Sequence, residues 1–185
     1  MSHTKGITQG HNTSAEEEER TYRAVAYVPT GQGTRSLWVM GELLTYKIPS
    51  RRTGGAYSLF EVATQPGAGP PPHVNHREDE SFYVLEGEYE FLIEGITIRA
   101  RAGSLIYVPK GTLHAHNGVG EGKGRMLVTQ TPGGLYERFF EELGNEADGD
   151  DAEPPVLDER SGAKKIVAVA AQHGIEILPP NPKEP

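Results

Sequence analysis

The sequence predicts an all-β domain of the sandwich or barrel type. Between residues 23 and 132, short runs rich in β-branched and aromatic residues recur at spacings of about ten residues and are separated by Gly and Pro turns. The chain of 185 residues contains 23 Gly and 14 Pro, and this composition favours a turn-rich β protein over a helical bundle. Its length suits one domain with a sizeable core.

The charge balance and the absence of cysteine exclude several classes of partner and site. Lys and Arg number 18 against 26 Asp and Glu, and no basic patch exists that would neutralise phosphates, so we expect no nucleic-acid partner. Without cysteine, a metal must be held by imidazole, carboxylate or amide groups. No apolar run approaches membrane-spanning length and residues 1–20 have no apolar core, so we expect no membrane partner and a cytoplasmic location.

Four segments follow from the order of these patterns. Residues 1–20 are polar and predict a disordered N-terminal tail, and residues 21–145 form the barrel domain with a covering helix. Within that domain, two or three extra strands are expected around Trp38, another strand at about residues 56–63, and a tight hairpin at Glu94-Gly95. Residues 146–157 form an acidic linker, and residues 158–185 form a C-terminal helix and tail.

Both helices follow the strands. Leu135, Phe139 and Leu143 recur at i, i+4 and i+8, and Gly144 is a plausible C-terminal cap, so this helix is expected to cover an edge or the open bottom of the barrel. A second helix is predicted to begin near Asp158 and to end at Gly174.

Candidate metal ligands are concentrated in two short segments, residues 69–91 and 103–117. Because side chains alternate along a strand, His73 and Asn75 share one face, and so do His114 and His116. Glu80 shares a face with Phe82 and Val84. The candidate inward-facing set is His73, Asn75, Glu80, His114 and His116. Imidazoles with one carboxylate suit Fe, Mn, Ni, Cu or Zn, and not Ca or Mg.

These two segments resemble the two motifs of the cupin superfamily. The first motif, G-x5-H-x-H-x3-4-E-x6-G, is matched with one departure, and the second, G-x5-P-x-G-x2-H-x3-N, has its asparagine one residue early. The matching positions are Gly67, His73, Asn75, Glu80 and Gly87, then Gly103, Pro109, Gly111, His114 and Asn117. The runs "VPKGTLHA" and "TPGGLYERFFEELG" are most similar to quercetinase-like monocupins.

The resemblance implies a jelly-roll barrel, or double-stranded β-helix, that holds a divalent transition metal with three histidines and a glutamate. His73, Glu80 and His114 match ligand positions, whereas Asn75 stands where the family has its second histidine. The fourth ligand is then the amide oxygen of Asn75 or a water, secondly His116, or thirdly His76, which needs a bulge to turn inward. No further cofactor site is expected, and Glu78 and Asp79 are expected to be solvated.

The resemblance also implies an activity. We expect a metal-dependent oxidoreductase, a quercetin 2,3-dioxygenase-like enzyme, acting on a small aromatic or polyphenolic molecule, with Glu80 both as a ligand and as the acceptor of a substrate proton. Such proteins are commonly homodimers. The alternatives are a cupin isomerase or lyase, and a non-catalytic cupin that binds a metal or a small molecule.

Overall fold

The computed structural model describes residues 25–147 and 159–178. The predicted N-terminal tail, residues 148–157 of the predicted acidic linker and the chain beyond residue 178 lie outside this range. Residue 146, placed in the linker by the sequence, belongs instead to a short strand.

Twelve strands, two α-helices and one 3-10 helix, Ser50–Arg52, are present in the described residues. The strands are β1 Ser36–Val39, β2 Glu42–Ile48, β3 Ser58–Thr64, β4 His73–Asn75, β5 Asp79–Glu86, β6 Glu88–Ile93, β7 Ile96–Arg101, β8 Leu105–Val108, β9 Leu113–Val119, β10 Gly124–Thr131, β11 Asn145–Glu146 and β12 Ile175–Ile177. The helices are α1 Leu135–Leu143 and α2 Glu159–Gln172.

The strands form two antiparallel sheets, which confirms the all-β jelly-roll prediction. One sheet has the order β11-β1-β2-β3-β10-β5-β8, and the other has the order β12-β4-β9-β6-β7. Phe60, Phe82, Phe91 and Met126 from both sheets are fully buried in one hydrophobic core. The core of the barrel is therefore apolar, apart from the buried polar side chains described below.

The local predictions in this region are largely confirmed. Glu94 and Gly95, both with positive φ (50° and 82°), join β6 to β7 in the tight hairpin that their sequence predicted. The strand expected at about residues 56–63 is β3, and Phe60 and Val62 define its inward face, which the alternation pattern alone left open.

The helical region carries a feature that the sequence did not predict. Helix α1 ends at the expected cap, Gly144, and packs Tyr136, Phe139 and Phe140 against the core. Helix α2 is followed directly by β12, which pairs with β4, so that Ile175 lies opposite Asn75 and Ile177 opposite His73. The C-terminal segment thus covers the edge of the strand that carries candidate ligands. Among the described residues, neither helix has the length and hydrophobicity needed to cross a membrane.

Candidate metal centre

Three candidate ligands from three strands converge inside the barrel. His73 on β4 lies opposite His114 on β9, and their ring centroids are 4.2 Å apart. Glu80 on β5 belongs to the facing sheet. One donor atom from each of these three buried residues lies within 4.8 Å of the other two. The cluster thus bridges the two sheets.

The two histidine rings are oriented by backbone carbonyl groups. His73 Nδ1 lies 3.0 Å from the oxygen of Pro71, and His114 Nδ1 lies 3.0 Å from the oxygen of Thr112. A carbonyl accepts only, so each Nδ1 carries the proton and Nε2 is left as the donor atom for a metal. Anchoring of the outer nitrogen is the usual support of a histidine ligand.

The carboxylate of Glu80 is held by three side chains. Its Oε2 accepts from Asn75 Nδ2 (2.6 Å) and lies 2.8 Å from His114 Nε2, while Oε1 accepts from Gln130 Nε2 (3.0 Å). Asn75 is itself fixed from α1, because Tyr136 donates its hydroxyl to Asn75 Oδ1 at 2.6 Å. Both ends of the Asn75 amide are therefore engaged by protein groups, and its amino end faces the glutamate.

Burial and mutual charge set the protonation of this cluster. Burial, together with the neighbouring His114, lowers the pKa of His73 to about 4, so the ring is neutral at pH 7. Burial alone would raise the pKa of Glu80, but the hydrogen bond and charge of His114 bring that pKa below its usual range. Burial likewise opposes the charge on His114, yet the bond to Glu80 raises the pKa of His114. The 2.8 Å contact between His114 Nε2 and Glu80 Oε2 thus favours a proton between these two atoms, and a metal bound to both would displace that proton.

A second histidine–glutamate pair lies in the same cavity. His116 shares the inward face of β9 with His114, as predicted, but its Nε2 lies 3.0 Å from Glu42 Oε1 on β2. Glu42 Oε1 also accepts from Thr64 Oγ1 (2.6 Å), and Thr64 in turn accepts from the Tyr89 hydroxyl (3.2 Å). We call Glu42 and His116 the inner dyad.

The cavity that joins the cluster and the inner dyad has a volume of about 50 Å³. A buried water needs roughly 10–15 Å³ of such volume, so the space takes about four water-sized groups. Apolar side chains from both sheets, from α1 and from β12 line it, and the titratable side chains in its wall are Glu42, His73, Glu80, His116 and Tyr136. A ligand of more than a few non-hydrogen atoms requires lining side chains to move.

The predicted site residues therefore fall into two groups. His73, Asn75, Glu80 and His114 are brought together, and His116 lies with Glu42 instead. His76 is exposed and pairs with Glu176 of β12 at 3.0 Å. Which of these residues ligate a metal remains a prediction.

Glu78 corrects one expectation. It was expected to be solvated, but it is 3% exposed and accepts hydrogen bonds from the backbone N–H groups of Leu135 and Tyr136 at the start of α1. Burial raises the pKa of this carboxyl to about 7. Asp79 is partly exposed and accepts from the backbone N–H of Lys110.

Sequence reasoning missed three polar residues of the cavity: Glu42, Gln130 and Tyr136. Gln130 is the one polar, inward-facing side chain of β10 beside Met126 and Val128, and this break in an apolar alternation was a usable signal. Glu42 begins a strand in which almost every residue is buried, so no alternation of buried and exposed residues indicates which way its side chain points.

The donor set fits a divalent transition metal. Two imidazoles with anchored Nδ1 atoms and one buried carboxylate form the 2-His-1-carboxylate combination that binds such ions and leaves further positions open. In the folded chain the His73 ring is neutral and Glu80 is ionised, so both can bind a metal without rearrangement of the strands.

Comparison with known proteins gives a family match over the segment that contains both motifs. The model of the cupin domain family matches residues 60–130, which contain both candidate motifs. The chain is also 29% identical over 137 residues to the quercetin 2,3-dioxygenase of Bacillus subtilis (strain 168). That alignment covers 73% of this chain and 40% of the relative, so the chain spans about two-fifths of the length of that relative.

Solved structures show the same fold at low identity. KdgF from Halomonas sp. superposes with a TM-score of 0.51 at 19% identity, over 59% of this chain and 94% of that protein. A predicted oxalate decarboxylase from Thermotoga maritima superposes with a TM-score of 0.54 at 18% identity, over 58% of this chain and 99% of that protein. Both likenesses concern the fold alone.

Proposed function

We propose that this chain, whose residues 60–130 form a cupin domain of quercetinase-like sequence, is a metal-dependent enzyme that carries out dioxygenase-type chemistry on a small aromatic molecule. The observation that carries the proposal is the buried convergence of His73, Glu80 and His114 on the wall of an apolar cavity. The similarity to a quercetin 2,3-dioxygenase supports the reaction class.

In this proposal, His73 Nε2, His114 Nε2 and a Glu80 oxygen hold the ion. A divalent ion bound there acts as a Lewis acid that lowers the pKa of a bound substrate hydroxyl and leaves positions for dioxygen or water. The anchored Nδ1 atoms of both histidines keep their rings aimed at one point before any ligand arrives.

Glu80 is the residue placed to move a proton. Its Oε2 already lies 2.8 Å from His114 Nε2 and shares a proton with it in the metal-free protein. We assign this oxygen as the acceptor of the substrate hydroxyl proton. Gln130, bound to Oε1, and Asn75, bound to Oε2, keep the carboxylate in place during the transfer.

The apolar wall has a role of its own. Phe82 is 2% exposed, and Val128 and Phe60 beside it are also buried, so bulk water is excluded from the face on which Glu80 acts. Electrostatic interactions in such a dry site are stronger than in water. Since the cavity measures about 50 Å³, a polyphenol of several rings enters only if α1 or β12 shifts outward.

Metal loading and oxygen consumption test the proposal together. The purified chain is stripped with a chelator and titrated with Fe(II), Mn(II) and Ni(II), and oxygen uptake is followed with catechol and with quercetin. We expect stoichiometric binding and turnover that Glu80→Gln abolishes, while the exposed His76→Ala variant serves as the matched control and retains both. If occupancy stays below a few per cent after Fe(II), Mn(II) or Ni(II) is supplied, the proposal of a metal-dependent enzyme is rejected.

Two observations favour the second candidate, a non-catalytic cupin that binds a metal or a small molecule. The second family histidine is replaced by Asn75, and the small cavity restricts substrates. Stoichiometric metal binding without oxygen uptake or any change in the offered substrates would favour this candidate.

A homodimer is part of the proposal. Tyr83, Leu105 and Tyr107, which are 44%, 64% and 57% exposed, cluster on paired strands β5 and β8, and β8 is the edge of its sheet. An exposed apolar sheet edge is commonly covered by a partner. Light scattering after size exclusion measures the mass, and Leu105→Glu is expected to shift a dimer to monomer.

A further inference from the structure

The inner dyad has a directional hydrogen-bond chain. The Tyr89 hydroxyl donates to Thr64 Oγ1, and Thr64 Oγ1 donates to Glu42 Oε1. Glu42 Oε1 therefore acts as an acceptor, and His116 Nε2, at 3.0 Å from the same oxygen, donates to it. In the tautomer that makes this donation, with one proton on the ring, His116 Nδ1 is an acceptor.

This acceptor is buried and lacks a donor. His116 is 7% exposed, and its Nδ1 has no hydrogen-bond partner among the described residues. Buried polar atoms in folded proteins are almost always paired, and leaving one unpaired is destabilising. His116 and Glu42 both line the cavity that also contains His73 and Glu80, so a ligand in the cavity can supply the missing donor.

Aromatic rings surround the dyad. The His116 ring lies 5.5 Å from Phe82, 5.6 Å from Phe91 and 6.2 Å from Tyr89, measured between ring centroids. Phe82 also lies 6.2 Å from His114, so it stands between the metal cluster and the inner dyad. The cavity therefore has two polar ends and an aromatic middle.

The inner dyad is not a second metal site. Its histidine uses Nε2 on the glutamate, and no third His, Asp or Glu joins it among the groups of possible ligands found in residues 25–147 and 159–178. Protein sites for these ions need at least three ligands. The inner dyad is therefore suited to recognise a ligand by hydrogen bonding.

We propose that the inner dyad is a hydroxyl-recognition subsite, in which the O–H group of a small phenol donates to His116 Nδ1 while the ring packs beside Phe82. The role of this subsite in catalysis rests on the proposed function. In that function, the subsite would bind a hydroxyl at the end of the substrate that lies away from the metal. Binding at this subsite itself needs no metal.

Affinities of phenol and toluene for the metal-free full chain test the proposal. The two probes have nearly the same size, and one hydrogen bond of about 1 kcal/mol corresponds to a roughly fivefold preference. We expect the ratio of phenol to toluene affinity to fall about fivefold in the double variant His116→Phe/Glu42→Met, which removes both members and leaves no unpaired carboxylate. The matched control is His173→Phe/Glu142→Met, because His173 and Glu142 form an exposed pair with the same 3.0 Å distance; its ratio stays at the wild-type value.

A measurement on the unmutated protein keeps the test independent of variant folding. In metal-free protein labelled with ¹⁵N-histidine, phenol is expected to shift the His116 Nδ1 resonance, and toluene is expected to leave it in place. The inference is overturned if neither probe binds at millimolar concentration, if the affinity ratio is the same in both double variants, or if phenol leaves Nδ1 unchanged because a buried water already satisfies it. Since no metal or turnover is involved, these results are separate from the metal and oxygen-uptake assays.

Discussion

His114 and His116 are two residues apart on β9, share its inward face and each lie about 3 Å from a glutamate, with distances of 2.8 and 3.0 Å. Their surroundings differ. His114 meets His73 across the sheet and has its Nδ1 anchored by Thr112. The His116 Nδ1, in contrast, has no partner in the described part of the chain, and its ring is enclosed by aromatic side chains. A histidine–glutamate pair is therefore not enough to define a metal site, because convergence of a third donor and anchoring of the outer nitrogen distinguish the two.

The largest effect on metal binding is expected when His114 and His116 are replaced by alanine in two separate variants. His114→Ala is expected to abolish stoichiometric metal binding, a loss of more than about 100-fold in affinity, because two donors are too few. His116→Ala is expected to keep one bound metal per chain. Elemental analysis of dialysed protein measures the stoichiometry, and circular dichroism checks the fold. Full metal content in His114→Ala would place the site elsewhere.

A change of pH is expected to alter metal affinity nearly as much as the loss of His114 does. The bond to Glu80 raises the pKa of His114, so below that pKa a metal must displace the proton on Nε2, and affinity falls about tenfold for each unit of pH decrease. Affinity rises with pH until His114 is neutral in the metal-free protein. Calorimetric titration in buffers of different ionisation enthalpy measures the released proton. Release of no proton would contradict the shared proton between His114 and Glu80.

Tyr136→Phe probes the support of the metal cluster. The substitution removes the donor to Asn75 Oδ1 and frees the amide that holds Glu80, so metal affinity is expected to fall about tenfold. Tyr89→Phe is the matched control, since its hydroxyl belongs to the chain behind the inner dyad. Equal losses in both variants would show a general packing effect.

Asn75→His tests the departure from the family motif. A third imidazole on the inward face of β4 is expected to raise affinity for late first-row metals by up to about tenfold. Titration with Ni(II) and Co(II), against wild type, measures the gain. An unchanged affinity would favour a fourth nitrogen already supplied by His116.

The smallest effect should come from Thr64→Val. It removes the donor to Glu42 Oε1 and lowers the free energy of unfolding by about 1 kcal/mol, while metal affinity is unchanged. Chemical denaturation and metal titration measure the two quantities. A changed metal affinity would contradict this prediction and would show that the two ends of the cavity are energetically coupled.

Motif spacing and strand parity predicted which side chains lie together in the candidate metal centre. The positions of His73, Glu80 and His114 relative to the Gly and Pro turns identified them, and parity placed Asn75 beside His73. Parity describes one strand only, however. It could not show that His116 pairs with Glu42, which is 74 residues away on a strand of the facing sheet.

Tertiary contacts also explain the other differences. Glu78 is surrounded by charged residues in sequence, and only the docking of α1 onto it produces its burial. Strand β12 has three residues and follows a helix, so no alternation pattern is long enough to predict it. Both features depend on contacts between segments more than fifty residues apart.

A metal held by His73, Glu80 and His114 would make the melting temperature of the barrel a reporter of free metal. Any ion that binds the folded chain and not the unfolded chain adds about 2.7 kcal/mol of stability at a concentration 100 times its dissociation constant. For a chain of this size, that corresponds to a rise of roughly 5–10 °C in melting temperature. Melting curves recorded across a metal series would then rank the ions by affinity without any knowledge of the substrate.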